Sequence, residues 1–141
     1  MLHLFLTLLS RITPAREVFA HCDIPCGIYT PEPAQTAART VMRMVEKLQE
    51  ADLKDIHGIS RFTQVKEEHA QKCKQELLIL WTDYFKEEHL DIFPNLHETF
   101  WKAAKLCSKN KQEVNMESAQ ALKTVVDEIA EMFTKAEAAK K

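Results

Sequence analysis

Apolar residues recur every three or four positions in four stretches of the chain, and polar or proline-containing links separate these stretches. Such spacing places the apolar side chains on one face of a helix, whereas no segment shows the alternation typical of a half-buried strand. The four predicted stripes are Ala34, Ala38, Val41, Val45 and Leu48; Phe62, Val65, His69, Cys73, Leu77, Leu80 and Tyr84; Leu96, Phe100, Ala103 and Cys107; and Ala119, Leu122, Val126, Ile129 and Phe133.

Local signals predict where the helices begin and end. Thr30 followed by Pro31 predicts the start of the first helix, with Pro31 at the first helical position, where a missing N–H costs nothing. This helix is expected to end near Leu53. The polar run 108–115 predicts the link between the last two helices, and the Lys/Ala-rich tail after the fourth helix is expected to fray.

Asn95, with Glu98 three residues later, resembles a capping box that opens the third helix. Four amphipathic helices of comparable length joined by short links pack most readily as an up-down antiparallel four-helix bundle. The prediction is therefore an all-α domain whose bundle spans about 31–138.

Composition and charge bound the size of the domain and argue against some classes of partner. The 141 residues and 45% hydrophobic content suffice for one domain with a buried core, while two glycines and five prolines favour long helices. The net charge of -2 provides no basic field, so we expect no nucleic-acid partner. The apolar run 1–9 is shorter than the roughly twenty residues that span a bilayer, so we expect no membrane anchor.

Compartment is predicted from the cysteines and the N-terminal pattern. Four cysteines in a chain that needs no disulfide staples favour a reducing, cytoplasmic compartment. The ending Val18-Phe19-Ala20 is the best evidence for the alternative, export by a signal peptide, and the polar residues before it are the best evidence against.

Metal-capable side chains crowd together outside the helices only in the segment 21–29, His-Cys-Asp-Ile-Pro-Cys-Gly-Ile-Tyr. The thiolates of Cys22 and Cys26 are soft, anionic ligands that suit zinc, copper or nickel. Zinc would need two further ligands, and a second Cys-rich or His-pair motif is missing. Cleavage before His21 would add an α-amine to the imidazole, the two thiolates and the Cys22 backbone nitrogen, a set that suits Ni(II) or Cu(II).

This segment closely resembles the nickel-hook motif of the nickel superoxide dismutases. The similarity continues in Trp81-Thr82-Asp83-Tyr84-Phe85-Lys86 and around Pro94, Leu96 and His97, and it covers essentially everything after Ala20. The resemblance implies a leader, 1–20, removed by a processing protease, and a mature domain, 21–141, made of a hook and a four-helix bundle. It also implies a homohexamer that holds one nickel ion per subunit.

The resemblance implies three metal ligands. His21 would supply its α-amine and, in the oxidised state, its imidazole; Cys22 would supply its backbone nitrogen and thiolate; Cys26 would supply a second thiolate. The implied activity converts two superoxide anions and two protons to hydrogen peroxide and dioxygen through Ni(II)/Ni(III) cycling. The alternative from another class is a nickel or copper carrier that uses the same hook. A third interpretation is a structural bundle with an inter-subunit disulfide through Cys22 or Cys26.

The resemblance also implies roles for residues around the metal. Tyr29 would stand over the open coordination face with Tyr84 behind it, and Asp23 would help hold the shape of the hook. In some relatives a carboxylate and an arginine orient the axial imidazole, but the matching positions here are Ala37 and His69. We therefore expect different groups, His69 among them, to position His21.

Overall fold

The computed structural model describes residues 27–140. Four helices make up this part of the chain: α1 Glu32–Glu50, α2 Ile56–Ile79, α3 Leu96–Gln112 and α4 Met116–Ala139. A π-helical turn, Leu80–Tyr84, continues α2, and a 3-10 turn, Glu87–Leu90, lies in the link to α3.

The four helices form a ring in which α1 and α3 each pack against both α2 and α4. Short links make consecutive helices antiparallel, which confirms the predicted all-α up-down bundle. Members of every predicted stripe lie fully buried between the helices, among them Val41, Val45, Cys73, Phe100, Cys107, Leu122 and Ile129. Within residues 27–140, no helix is long and apolar enough to cross a membrane. The predicted N-terminal hook begins outside this range.

The limits of α1 differ slightly from the prediction. Its first helical residue is Glu32, with Pro31 in the cap position, and the Thr30 hydroxyl accepts a hydrogen bond from the Glu32 amide at 3.4 Å. The helix ends at Glu50 rather than near Leu53, which is 88% exposed. Asp52 explains the earlier end, since its Oδ1 accepts from the Lys54 amide at 3.0 Å and so favours a turn over another helical turn.

The predicted capping box at the start of α3 is wrong. The helix does begin at Leu96, but the Asn95 side chain caps no amide; its Nδ2 donates to Thr99 Oγ1 at 3.3 Å. The predicted link 108–115 is also too long, because α3 continues to Gln112. Buried Asn110 accounts for the extra turn, since its Nδ2 donates to the carbonyls of Leu106 and Ser118 inside the bundle.

The buried face of α2 is rotated slightly from the predicted stripe. Phe62, Val65 and His69 are only partly buried, whereas Lys66 is 1% exposed. Lys66 is buried because its Nζ donates to the backbone carbonyl of Asn110, and to those of Lys111 and Glu113 at 3.2 and 3.1 Å. A buried cation is tolerated when acceptors surround it, and the C-terminal carbonyls of a helix are suitable acceptors.

Candidate functional site

Tyr84 is held by the irregular end of α2. The amide of Phe85 donates to the carbonyl of Leu80 at 3.0 Å, which closes the wide π turn. Such turns often occur at functional sites. Tyr84 is only 6% exposed and belongs to the core cluster. The α-helical period predicted this burial, and the structure adds the wide turn that ends at Tyr84.

Tyr29 reaches Tyr84 from the segment before α1. Gly27 has a φ of +69°, a left-handed conformation that glycine adopts readily. Two residues later, Tyr29 packs against the core, and its ring centroid lies 6.0 Å from that of Tyr84 at an interplanar angle of 61°. The structure therefore brings together the two tyrosines that the sequence singled out.

An aromatic cluster fixes the ring of Tyr84. Phe133 and Phe85 lie 4.3 and 4.9 Å away between ring centroids, and His89 stacks at 5.9 Å. His89 is only 5% exposed although it lies in the 3-10 turn of the link before α3. Its Nδ1 accepts from the Lys86 amide at 2.9 Å, and this bond satisfies a polar atom of the buried ring.

The hydroxyl of Tyr84 donates to Glu137 Oε1 at 2.5 Å, and Lys140 Nζ donates to the same oxygen at 2.5 Å. Lys140 Nζ also lies 4.7 Å from the centroid of the Tyr84 ring, a cation–π contact. Burial, followed by the bond to Glu137 and its charge, raises the pKa of Tyr84 above its ordinary value. The hydrogen bonds from Lys140 and Tyr84 lower the pKa of Glu137.

Tyr29, Tyr84, Glu137 and Lys140 lie along the wall of a cleft of about 170 Å³. The residues that line it are Gly27, Tyr29, Asp83, Tyr84, Lys86, Glu137 and Lys140. Gly27 directly follows Cys26 in the sequence, so the predicted hook joins the bundle at a residue of this wall. A cleft of this size admits only small molecules.

The predicted ligands His21, Cys22 and Cys26, and the predicted site residue Asp23, lie outside the described residues. In the range 27–140, no three His, Cys, Asp or Glu side chains group together as a metal site. Assignment of the metal ligands therefore stays a prediction from the sequence.

Ala37 and His69 line one surface hollow beside the start of α1, together with Thr30 and Thr36. His69 Nδ1 lies 2.9 Å from the carbonyl oxygen of Val65, and at that distance the nitrogen donates. Nε2 is then the nitrogen left to accept. The structure thus places the two departures from the family pattern next to each other.

Comparison with known proteins decides the family. A family model described as nickel-containing superoxide dismutase matches residues 16–137. The chain belongs to the nickel-containing superoxide dismutase family. The superoxide dismutase [Ni] of Streptomyces seoulensis is 36% identical over 127 residues, which cover 89% of this chain and 95% of that protein. The superoxide dismutase [Ni] of Streptomyces coelicolor is 35% identical over 127 residues, with the same shares of the two chains covered.

A solved structure supports the same assignment. It is a crystal structure of a nickel-containing superoxide dismutase, with nickel ligation that corresponds to the state after partial X-ray-induced reduction. It matches with a TM-score of 0.79 and 34% identity, over 84% of this chain and 100% of that one. The predicted enzyme class, a nickel-dependent oxidoreductase with superoxide as substrate, is confirmed at the level of the family.

Sequence reasoning missed Glu137 and Lys140, which lie close to the predicted end of the bundle, about residue 138, in the Lys/Ala-rich stretch. In the structure α4 ends at Ala139. No local signal singled out Glu137, because the buried member of the α4 stripe after Phe133 is Ala136, which is 1% exposed, whereas Glu137 is exposed.

Proposed function

We propose that the mature chain begins at His21 and dismutates superoxide at a nickel ion held by His21, Cys22 and Cys26. The observation that supports this most is the cleft lined by Tyr29 and Tyr84, since the hook segment enters the bundle at its wall. Two superoxide anions and two protons would yield one hydrogen peroxide and one dioxygen.

The donor set fits nickel. When bound, nickel supplies a one-electron couple that accepts an electron from one superoxide and returns it to the next. Thiolates from Cys22 and Cys26, with the Cys22 amide nitrogen, would hold the ion as soft, anionic donors of the kind that suits nickel. The imidazole of His21 would add a donor in the oxidised state. The protein fixes these ligands and the groups around them.

Tyr29 and Tyr84 would control access and hold protons. Their rings would limit entry to species as small as superoxide and so keep larger molecules away from the metal ligands. The Tyr84 phenol is protonated at physiological pH even at its ordinary pKa, and burial and the bond to Glu137 raise that pKa further. Water held at the cleft wall would deliver the protons that peroxide needs in order to leave, while Asp23 would hold the shape of the hook.

The proposal includes the assembly and processing of the chain. A protease would remove residues 1–20 and so free the α-amine of His21. Each subunit would hold one nickel ion, and six subunits would form a homohexamer. The cytoplasm is the proposed compartment because the four cysteines favour a reducing one, and export by the leader is the alternative.

Mass spectrometry of the mature N-terminus and metal analysis test this proposal. We expect His21 at the terminus, about one nickel per chain, and turnover of superoxide by the same sample. The double variant Cys22→Ser/Cys26→Ser should lose nickel and activity, whereas Cys73→Ala/Cys107→Ala, which changes two buried thiols, should keep both in the folded fraction. Zinc in place of nickel, or an unprocessed Met1, would contradict the proposal. Nickel without turnover would indicate a carrier.

Tyr29→Phe tests the access role separately. We expect nickel to stay bound while the dependence of the rate on superoxide concentration changes, because the ring remains and only the hydroxyl is lost. Stopped-flow kinetics and metal analysis on one preparation measure both. Loss of nickel would instead assign Tyr29 to the structure of the hook.

A further inference from the structure

The C-terminal end of α4 supplies one wall of the cleft. Glu137 Oε1 receives hydrogen bonds from the Tyr84 hydroxyl and from Lys140 Nζ, each at 2.5 Å, and Lys140 Nζ lies over the Tyr84 ring. The three side chains therefore form a closed cluster in which each contacts the other two. The Glu137 side chain is 44% exposed, so packing alone does not require it there.

The direction of the Tyr84 hydrogen bond has a chemical consequence. A phenol has one hydroxyl hydrogen, and Tyr84 donates it in the hydrogen bond to the Glu137 carboxylate. The hydroxyl oxygen can then only accept hydrogen bonds from the cleft. Bonds to an ionised acceptor are roughly twice as strong as neutral ones, so the carboxylate holds this orientation firmly.

An acceptor in this position distinguishes the species that enter the cleft. Water and hydrogen peroxide carry hydrogens and can donate to the Tyr84 oxygen, whereas superoxide carries none. Tyr84 would therefore hold a water by one of its hydrogens and leave the other hydrogen free for the reacting species. If Tyr84 lost its fixed acceptor, its hydroxyl could turn and bind the anion itself.

We propose that Glu137 is a positioning residue that fixes the Tyr84 hydroxyl as an acceptor toward the cleft, and that Lys140 holds the Glu137 carboxylate in place through its bond to the same oxygen. This inference rests on the proposed function, because it concerns turnover at the same cleft. The other charged or titratable groups that face Tyr84 and Glu137 are Tyr29, Asp83, Lys86 and His89.

Tyrosine NMR tests the hydrogen bond without relying on turnover. The chain has only two tyrosines, so labelling at Cζ yields two resonances, and Tyr29→Phe assigns them. Glu137→Gln should shift the Tyr84 resonance at neutral pH, in nickel-loaded and metal-free mature protein alike. The matched control is Glu131→Gln, an exposed carboxylate on the same helix, which should leave it in place. An unmoved Tyr84 resonance in Glu137→Gln overturns the inference.

Kinetics test whether the bond matters for turnover. We expect Glu137→Gln to lower kcat about fivefold at full nickel content, the factor that corresponds to one hydrogen bond, and to change kcat/KM less. Because Glu137 acts through Tyr84, the same substitution in a Tyr84→Phe background should add nothing further. An equal loss in both backgrounds, or no loss in either, overturns the inference.

The two tests separate this inference from the proposed function. If the wild-type chain held no nickel or had no turnover, the proposed function would fail, and the role of Glu137 in turnover would fail with it. The NMR shift would still report whether the Tyr84 bond exists. If the wild type turns over and only the Glu137 variants behave as wild type, the inference alone fails.

Discussion

The two ends of the bundle use polar residues in opposite ways. At the closed end, defined by Lys66, Asn110 and Ser118, all three side chains are buried and they bond mainly to backbone carbonyls. At the site end, defined by Gly27, Tyr29, Tyr84, Glu137 and Lys140, side chains bond to one another along the wall of a cleft.

The polar bonds of the closed end stabilise the fold, whereas those of the site end shape the cleft. Lys66 joins α2 to the last turn of α3 and the link that follows it, and Asn110 joins α3 to α4. These hydrogen bonds link neighbouring elements of the bundle, and breaking them would leave buried carbonyl acceptors unpaired. Polar groups at the site end remain within reach of a small ligand, and breaking their bonds would alter the cleft rather than the core.

The largest expected effect on stability is that of Lys66→Met. A methionine fills a similar volume but leaves three carbonyl oxygens without their donor, so we expect a loss of roughly 3 kcal/mol in the free energy of unfolding. Denaturant unfolding measures it, and Lys72→Met, at an exposed position of the same helix, is the control. A loss as small as that of the control would mean that water replaces the ammonium group.

Asn110→Ala should have the next largest effect. Its Nδ2 contacts the Leu106 carbonyl at 2.9 Å and the carbonyl and hydroxyl of Ser118 at 3.0 and 3.1 Å. Loss of these neutral bonds should cost about 1–2 kcal/mol by the same measurement. Nickel content per folded chain should not change, and a change would mean that the two ends are coupled.

The two glycines offer a matched test, because one lies near each end. Gly27→Ala meets no atom within 4 Å, but its left-handed φ should cost about 1 kcal/mol and weaken nickel binding by several-fold. Gly58→Ala would bring a Cβ to 2.1 Å from Asp55 Oδ2 and so disturb the cap of α2, at a cost of about 1 kcal/mol.

Denaturant unfolding and nickel titration of these two variants distinguish the effects of a substitution at the two ends of the bundle. We expect similar losses of stability from both but weaker nickel binding only in Gly27→Ala. Equal nickel affinity in the two variants would contradict the idea that the conformation at Gly27 helps to place the hook.

The smallest expected effect is the pH dependence of the Tyr84–Glu137 pair. The folded state lowers the pKa of Glu137 below its ordinary 4.5, so its contribution to stability is present above that pH. That contribution is lost as the pH falls through the folded-state pKa. The difference in unfolding free energy between wild type and Glu137→Gln should therefore shrink between about pH 7 and pH 3. A difference that grows on acidification would contradict the assigned charge state.

Much of the fold could be predicted from local patterns, and the misses have physical causes. Val41, Phe100 and Ile129 lie on stripes whose period is a property of the helix itself, and all three are buried. Lys66 escaped prediction because its three carbonyl acceptors lie 44 to 47 residues away in the sequence. Asn110 escaped prediction because its acceptors on Ser118 belong to the next helix, beyond the link. Glu137 escaped prediction because its partner Tyr84 lies 53 residues earlier in the chain.

By itself the sequence determined the helical class and predicted the donor set of the hook, because both depend on residues within a few positions of one another. His21, Cys22 and Cys26 fall within six residues, and a helix repeats every 3.6. Only the tertiary structure decided which polar groups meet. Packing brought Lys66 to carbonyls 44 to 47 residues away and Tyr84 to Glu137, since such contacts depend on how whole helices align.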